Sequence, residues 1–267
     1  MAFKLATWNI NSVRLRAGLV EDFLNSHQPD ILCLQEIKCM NDQFPAKVFR
    51  KLGYEHQAVH GQKGYHGVAT VSKRPIHEYH STDYCLMGDT RHLCTRFELG
   101  GRPVDLHNFY VPAGGDEPDP AINPKFDHKL KFIEEMKGLK SNRDGVPGLL
   151  VGDLNIAPLE SDVWSHKQLL KIVSHTPVET DGLKDVMAKG EWVDVVRRHF
   201  PEDQVLYSWW SYRAKDWKAS NRGRRLDHVW SHAELADHLS NVEIFEDARG
   251  WEKASDHVPV IATFDLE

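Results

Sequence analysis

No long hydrophobic run occurs in this 267-residue chain. Its longest apolar stretches, such as Leu149-Leu150-Val151 and Val258-Pro259-Val260-Ile261, fall far short of the roughly 20 residues a membrane span needs. The amino terminus has one lysine and then reads as a strand, without the apolar core of a signal peptide. Cysteine is scarce: residues 33, 39, 85 and 94 show no C-x-x-C spacing, and Cys33, inside an apolar run, reads as a reduced core thiol. A chain of this length buries about three quarters of its unfolded surface and needs no disulfides. These absences exclude a membrane protein and a disulfide scaffold, and they make the cytoplasm the expected compartment. Repeats, low-complexity tracts and linkers are also missing, so residues 1–267 read as one domain.

Several catalytic signatures are missing too. The glycines of GQKGYHG (61–67) lack the Gly-Lys-Ser/Thr of a phosphate loop, and a strand rather than a helix follows them. His77-Glu78-Tyr79-His80 does not match H-E-x-x-H, and no G-x-S-x-G elbow supports a serine hydrolase. A uniformly basic surface is absent as well, since 33 basic against 39 acidic residues leave a formal charge of −6. Distribution matters more than the sum. Arg213, Lys215, Lys218, Arg222, Arg224 and Arg225 face one acid, Asp216, within residues 213–225, a candidate phosphate-facing stripe.

Periodicity gives the organisation. Alternation over Phe3–Ile10 predicts a strand, Val13, Ala17, Val20 and Leu24 predict a helix, and Ile31–Leu34 reads as a strand buried on both faces. Val68–Ser72 is another strand, and Leu93–Leu99 with Val104–Tyr110 flank Gly100-Gly101 as a hairpin. Residues 111–120 form a loop, and Asn123-Pro124 starts a helix with Phe126, Leu130, Ile133 and Met136 on its apolar face. Gly148–Val151 feeds a strand into Gly152-Asp153-Leu154-Asn155. Residues 159–200 look helical, with Trp164, Leu169, Ile172, Leu183 and Val186 as core candidates. Leu206–Tyr212, Leu226–Trp230, Val242–Phe245 and Val258–Phe264 read as strands. The sum is an α/β fold with antiparallel pairing.

Polar residues stand where packing does not need them. Asn9, Glu36, Asp153 and Asn155 each follow an apolar strand, and Asp256-His257 precedes the last one. Were those strand ends adjacent, the carboxylates would repel one another unless a cation sat among them. Oxygen and amide ligands point to a hard ion, Mg²⁺ or Mn²⁺. Tyr207, Trp209, Trp210, Tyr212 and Trp217 place five aromatics within eleven residues beside the basic stripe. That mixture suits bases stacking on rings and phosphates pairing with guanidinium groups.

The sequence resembles the exonuclease III family of abasic-site endonucleases nearly end to end. The resemblance rests on TWNINSVR (7–14), PDILCLQEIK (29–38), GQKGYHGVA (61–69), NFYVPAG (108–114) and VGDLNIAP (151–158). It continues through YSWWSYR (207–213), NRGRRLDH (221–228) and SDHVPV (255–260). It implies a four-layer sandwich of two packed mixed β-sheets flanked by helices, like deoxyribonuclease I. It also implies Mg²⁺-dependent incision of duplex DNA 5′ to abasic sites, with 3′→5′ exonuclease and 3′-end-cleaning activity, by a monomer. By that resemblance Glu36 is the main metal ligand with Asn9 and Asp256 nearby, and Asp153, Asn155 and His257 complete the metal set. Asp153 transfers a proton, Asn155 holds the attacking water, Tyr110 touches the phosphate, and Asp227 orients His257. Lys38, Trp209, Tyr212, Arg213, Asn221, Arg222 and Arg224 are the implied DNA contacts, with Trp209 walling the sugar pocket.

Four positions depart from the family pattern. Ala113 replaces an amide, Arg224 a larger apolar or aromatic residue, Ile37 a threonine and Asn11 an aspartate of some members. Two other functions compete: a phosphatase or phosphodiesterase of the same superfamily acting on lipid or inositol head groups, and a non-catalytic DNA-binding protein.

Overall fold

The alternation at the amino terminus becomes strand β1 (Ala2–Asn9) in a computed structural model that describes residues 2–266. Next come β2 (Ile31–Gln35), β3 (His56–His60), β4 (Val68–Ser72), β5 (Glu78–His80), β6 (His92–Leu99) and β7 (Arg102–Tyr110). The middle adds β8 (Asn142–Arg143), β9 (Val146–Asp153) and β10 (Val193–Asp194). The last part adds β11 (Trp209–Trp210), β12 (Gly223–Arg224), β13 (Asp227–Ser231), β14 (Leu239–Ile244) and β15 (Val260–Asp265). The helices are α1 (Ala17–His27), α2 (Ala46–Lys51), α3 (Pro124–Met136), α4 (His166–Leu169), α5 (Pro177–Gly190), α6 (Val195–His199), α7 (Trp217–Ser220) and α8 (Ala233–Ala236).

One sheet has the order β14-β15-β1-β2-β4-β3 and the other β10-β13-β9-β7-β6-β5, with β8 beside β9 and β11-β12 a separate ribbon. Because successive strand residues point to opposite faces, each sheet buries two sets of side chains. Phe3 and Leu5 of β1 meet Phe97, Leu106 and Val151 between the sheets. Ala6 and Trp8 point the other way and pack with Phe23 and Leu24 of α1. Phe109 and Leu150 cover the far face of the second sheet with Phe132 and Ile133 of α3 and Leu183 of α5. The layers are therefore helix, sheet, sheet, helix, and the expected four-layer α/β sandwich is present. Polar groups also join the sheets: Gln35 Nε2 donates to Asn108 Oδ1 at 2.7 Å, and Asn108 Nδ2 donates to the carbonyls of Leu34 and Ala69. Both amides are fully buried, so they fix one sheet against the other directly behind Glu36.

Local chemistry accounts for most element ends. The Asn123 side chain accepts from Lys125 N, and Pro124 opens α3. Several expectations need correction. The first helix starts at Ala17, leaving Val13 buried in the preceding turn. The Leu206–Tyr212 strand shrinks to Trp209–Trp210, and α7 occupies part of the basic stripe. Residues 159–200 hold two short helices besides α5. Ile172 is 40% exposed rather than core.

Candidate active site

The two sheets deliver their polar strand ends to one edge. In the first, the parallel pair β1 and β2 sets Asn9 beside Gln35, and Glu36 follows. In the second, Asp153 has Tyr110 on one side and Asp227 on the other. The loop before β15 closes the gap: Ser255 Oγ donates to the Asn9 carbonyl at 2.7 Å and Trp8 Nε1 to the His257 carbonyl at 3.0 Å. Sharp turns aim the groups. Glu36, Lys38 and Asn155 all hold positive φ, 49°, 50° and 54°, a conformation that L residues adopt only where the surroundings enforce it. Gly152 has φ 139°, and a Cβ there would lie 2.0 Å from the Phe109 carbonyl oxygen, so only glycine allows β9 to pass β7 into Asp153.

Asn9 Nδ2 donates both to Glu36 Oε1 at 2.9 Å and to Asp153 Oδ2 at 2.8 Å. His257 Nε2 stands 3.6 Å from the same Asp153 oxygen, while Nδ1 lies 2.8 Å from Asp227 Oδ2. Ser208 Oγ donates to that Asp227 oxygen at 2.6 Å. Asn155 Nδ2 donates to the Val111 carbonyl at 2.8 Å and to Asp153 Oδ2 at 3.2 Å, which leaves its carbonyl oxygen for a water. Asp256 accepts from Trp209 Nε1 at 3.0 Å and from Asn11 Nδ2 at 3.1 Å. A continuous network thus links Glu36 to His257, 221 positions apart in the sequence.

The environment sets the protonation states. Burial opposes charge on His257, but Asp227 and Asp153 outweigh it and raise its pKa to about 10, so it is an imidazolium at neutral pH. Burial lifts Asp153 to about 7, His257 pulling it down and Asp227 and Glu36 pushing it up. Burial, with the charges of Glu36 and Asp153, keeps the Tyr110 phenol protonated far above the usual range. Burial works against the Asp256 charge too, yet His257, Trp209 and Asn11 together hold it ionised.

The donor chemistry fits a divalent cation. Glu36, Asp153, Asp227 and Asp256 bring four carboxylates, and Lys38, 2.8 Å from Glu36 Oε2, and His257 are the cations among them. Asp227 Oδ1 is buried with no partner. Oxygen donors around an excess of negative charge suit a hard ion. Asp153, Asp227 and His257 also present ligand atoms within 4.8 Å of one another. A protonated imidazole has no lone pair to give, so His257 donates in this state and would have to shed a proton to act as the metal ligand expected of it.

Beside this network opens a cleft of about 1030 Å³, walled by Trp209, Trp164, Leu226, Arg213, Arg222 and Arg224 and floored by Glu36, Tyr110, Asn155 and His257. The Arg222 guanidinium lies 4.7 Å from the Trp164 ring centre. Other expected DNA contacts have partners within the chain. Lys38 is paired with Glu36; Tyr212 OH donates to the Ala254 carbonyl and accepts from Arg16; Asn221 Oδ1 accepts from Trp210 Nε1. Arg225, counted in the basic stripe, is fully buried on Asp162 and Asp194 and faces no solvent. The sequence reading missed Ser208 and Lys129. Ser208 stands within the YSWWSYR motif, which is the signal that could have raised it. Lys129, fully buried, donates to the Asn155 carbonyl at 2.8 Å and pairs with Glu179 at 2.5 Å; no local pattern marks it.

The model of the endonuclease/exonuclease/phosphatase family matches residues 6–257. The chain belongs to this family. It is 32% identical to exodeoxyribonuclease III of Haemophilus influenzae, over 98% of this chain and 99% of that one. The structure of an AP endonuclease from Archaeoglobus fulgidus superposes with a TM-score of 0.90 at 31% identity, covering 99% of this chain and 100% of that one. The 3′ phosphatase NExo of Neisseria, solved with a product DNA hairpin, gives 0.85 at 29% identity over 98% and 99%. Within the family the chain stands on the exodeoxyribonuclease III and AP endonuclease branch and is a hydrolytic enzyme of the DNA repair nuclease type.

Proposed function

We propose that this chain is a Mg²⁺-dependent DNA phosphodiesterase, with Mn²⁺ as a substitute. In this reading it incises duplex DNA 5′ to abasic sites and trims or cleans 3′ ends as a 3′→5′ exonuclease. The observation that carries the reading is a buried carboxylate tuned near neutrality, Asp153, 3.6 Å from an imidazolium, His257, at the floor of an aromatic and basic cleft. The relatives' names agree: one is an exodeoxyribonuclease III, one an AP endonuclease, and one was solved with product DNA.

Glu36, Asn9 and Asp256 would hold the metal ion. When bound, the ion supplies neutralisation of charge building on the phosphate oxygens. Asp153 accepts the proton of the attacking water, for which a pKa near the working pH is favourable. The Asn155 side-chain Oδ1 orients that water. His257, kept cationic by Asp227, donates to a phosphate oxygen as negative charge grows there. Tyr110, held as a neutral phenol, adds a second donor.

A nucleotide without a base leaves the helix at little stacking cost, and a pocket walled by Trp209 suits the bare sugar. Residues 1–267 act as one catalytic domain in this reading, supported by a site that draws on both sheets and on both ends of the sequence. The chain acts as a monomer in this reading. A cytoplasmic location is consistent with the described residues, where no helix is long and apolar enough to cross a membrane. The test is incision of a duplex carrying one abasic site, with Mg²⁺ and with chelator. Cleavage 5′ to the site only with metal is expected. An intact strand together with hydrolysis of an inositol phosphate would transfer the site to head-group chemistry.

A further inference from the structure

Asn155 stands on backbone that belongs to no helix or strand. Strand β9 ends at Asp153, and residues 154–158 have no ladder to take up their carbonyls. Buried carbonyls of that kind need donors, and here three in succession receive one from a side chain. Lys129 Nζ of α3 donates to the Asn155 carbonyl at 2.8 Å, and His228 Nε2 of β13 lies 2.8 Å from the Ile156 carbonyl. His175 Nδ1, just before α5, lies 2.6 Å from the Ala157 carbonyl. All three side chains are buried.

The groups behind the two imidazoles decide which nitrogen carries the proton. Arg225 Nη1 can only donate and lies 3.2 Å from His228 Nδ1, so Nδ1 accepts and the proton that meets Ile156 sits on Nε2. The Ala157 carbonyl can only accept, so His175 carries its proton on Nδ1, which leaves Nε2 for His166 Nδ1 at 2.8 Å. Burial, helped by Arg225, lowers the His228 pKa to about 4, and burial lowers that of His175 as well. Both rings are therefore neutral at neutral pH and act on the loop as hydrogen-bond donors. Strand β13 serves the site twice: Asp227 holds His257, and the next residue, on the opposite face, holds Ile156.

Asn155 has φ 54°, and its amide reaches the Val111 carbonyl and Asp153 Oδ2. Where its Oδ1 points depends on where residues 155–157 stand, and donors on separate rigid elements set that position. We propose that His228 and His175, together with Lys129, are positioning residues that clamp three consecutive carbonyls and so hold the Asn155 side chain in register with the attacking water. The proposal rests on the phosphodiesterase reading above.

The metal-loaded chain is assayed in single turnover on a duplex with one abasic site. His228→Leu and His175→Leu should each lower the maximal rate by about ten- to a hundredfold, the loss expected when a positioned group shifts slightly. The half-saturating enzyme concentration should stay within about twofold. His228→Gln and His175→Asn return an amide N–H to the same carbonyls and should recover most of the rate. In an Asn155→Ala background each leucine variant should lower the residual rate by less than about twofold, because the group being positioned is gone. Independently of activity, the Asn155 side-chain amide in chelated protein should exchange its protons slowly in wild type and faster in the leucine variants.

Leucine variants that melt lower yet keep the wild-type rate overturn the proposal and leave the histidines as supports of the loop alone. So does a loss that persists at full size in the Asn155→Ala background, or one that the amide variants fail to recover. The two histidines are tested separately, so one variant that fails to fold leaves the other to decide. Should neither fold, wild-type exchange as fast as that of an exposed asparagine overturns the clamp. An abasic duplex left intact by wild type refutes the phosphodiesterase reading instead, while the exchange measurement still reports on the clamp.

Discussion

Replacing Asp227 by asparagine tests the electrostatics most directly. The variant is nearly isosteric, and it removes the foremost charge that holds His257 protonated at 2.8 Å. The imidazole pKa is raised from 6.5 to about 10, against the opposing pull of burial. Without Asp227 that pull meets only Asp153 and Asp256, and the group should titrate at or below its ordinary value. One pH unit above such a pKa, only about a tenth of the molecules carry the proton. If the imidazolium donates in the transition state, single-turnover cleavage at about pH 7.5, one unit above the ordinary value, should fall at least about tenfold, with DNA binding less affected. The direct assay follows the His257 ring nitrogens by NMR against pH in chelated protein. Wild type should stay protonated beyond pH 8, and Asp227→Asn should titrate more than two units lower. Stability should follow the same group. With its folded pKa raised, its contribution is fully present below about pH 6.5 and is lost as pH rises toward 10, with a slope of up to about 1.4 kcal/mol per unit. The variant should show a flatter curve over that window. An imidazole that still titrates near 10 in Asp227→Asn would refute the assignment.

Other perturbations separate chemistry from architecture. Asp153→Asn should bind abasic duplex while losing cleavage by roughly three orders of magnitude or more; near-normal turnover would remove Asp153 from proton transfer. Lys129→Met takes from the fully buried Glu179 the ammonium that pairs with it and leaves only hydrogen bonds from Ser174 and Thr176, which should cost about 3–5 kcal/mol in a denaturant melt, and adding Glu179→Gln should recover part of it. Gly152→Ala forces a Cβ to within 2.0 Å of the Phe109 carbonyl, so it should melt several degrees lower, and unchanged melting would contradict the close passage of β9 and β7.

The site was legible where function breaks a local rule. Asn9, Glu36, Asp153 and Asp256 stand at strand ends that packing alone would leave to turn formers, and their positions needed only the strands on either side. Lys129 was illegible for the opposite reason. It lies on α3 among buried Phe126, Phe132 and Met136, but the partner that makes its burial tolerable, Glu179, is 50 positions away. Charge counting failed at Arg225 for a similar cause, because Asp162 and Asp194 lie far upstream. Trp209 and Trp210 read as the middle of a long strand, yet residues around them are spent on tying Ser208 to Asp227 and Tyr212 to Ala254. Composition records none of these pairings.

The pairing of β1 with β15 has a consequence for biosynthesis. Asn9 leaves the ribosome roughly 250 residues ahead of Asp256 and His257. A polypeptide still being translated, or one released by an early stop codon, therefore carries most of the acids but not the imidazole that completes them. In the proposed reading, cleavage therefore waits until β15 has docked on β1.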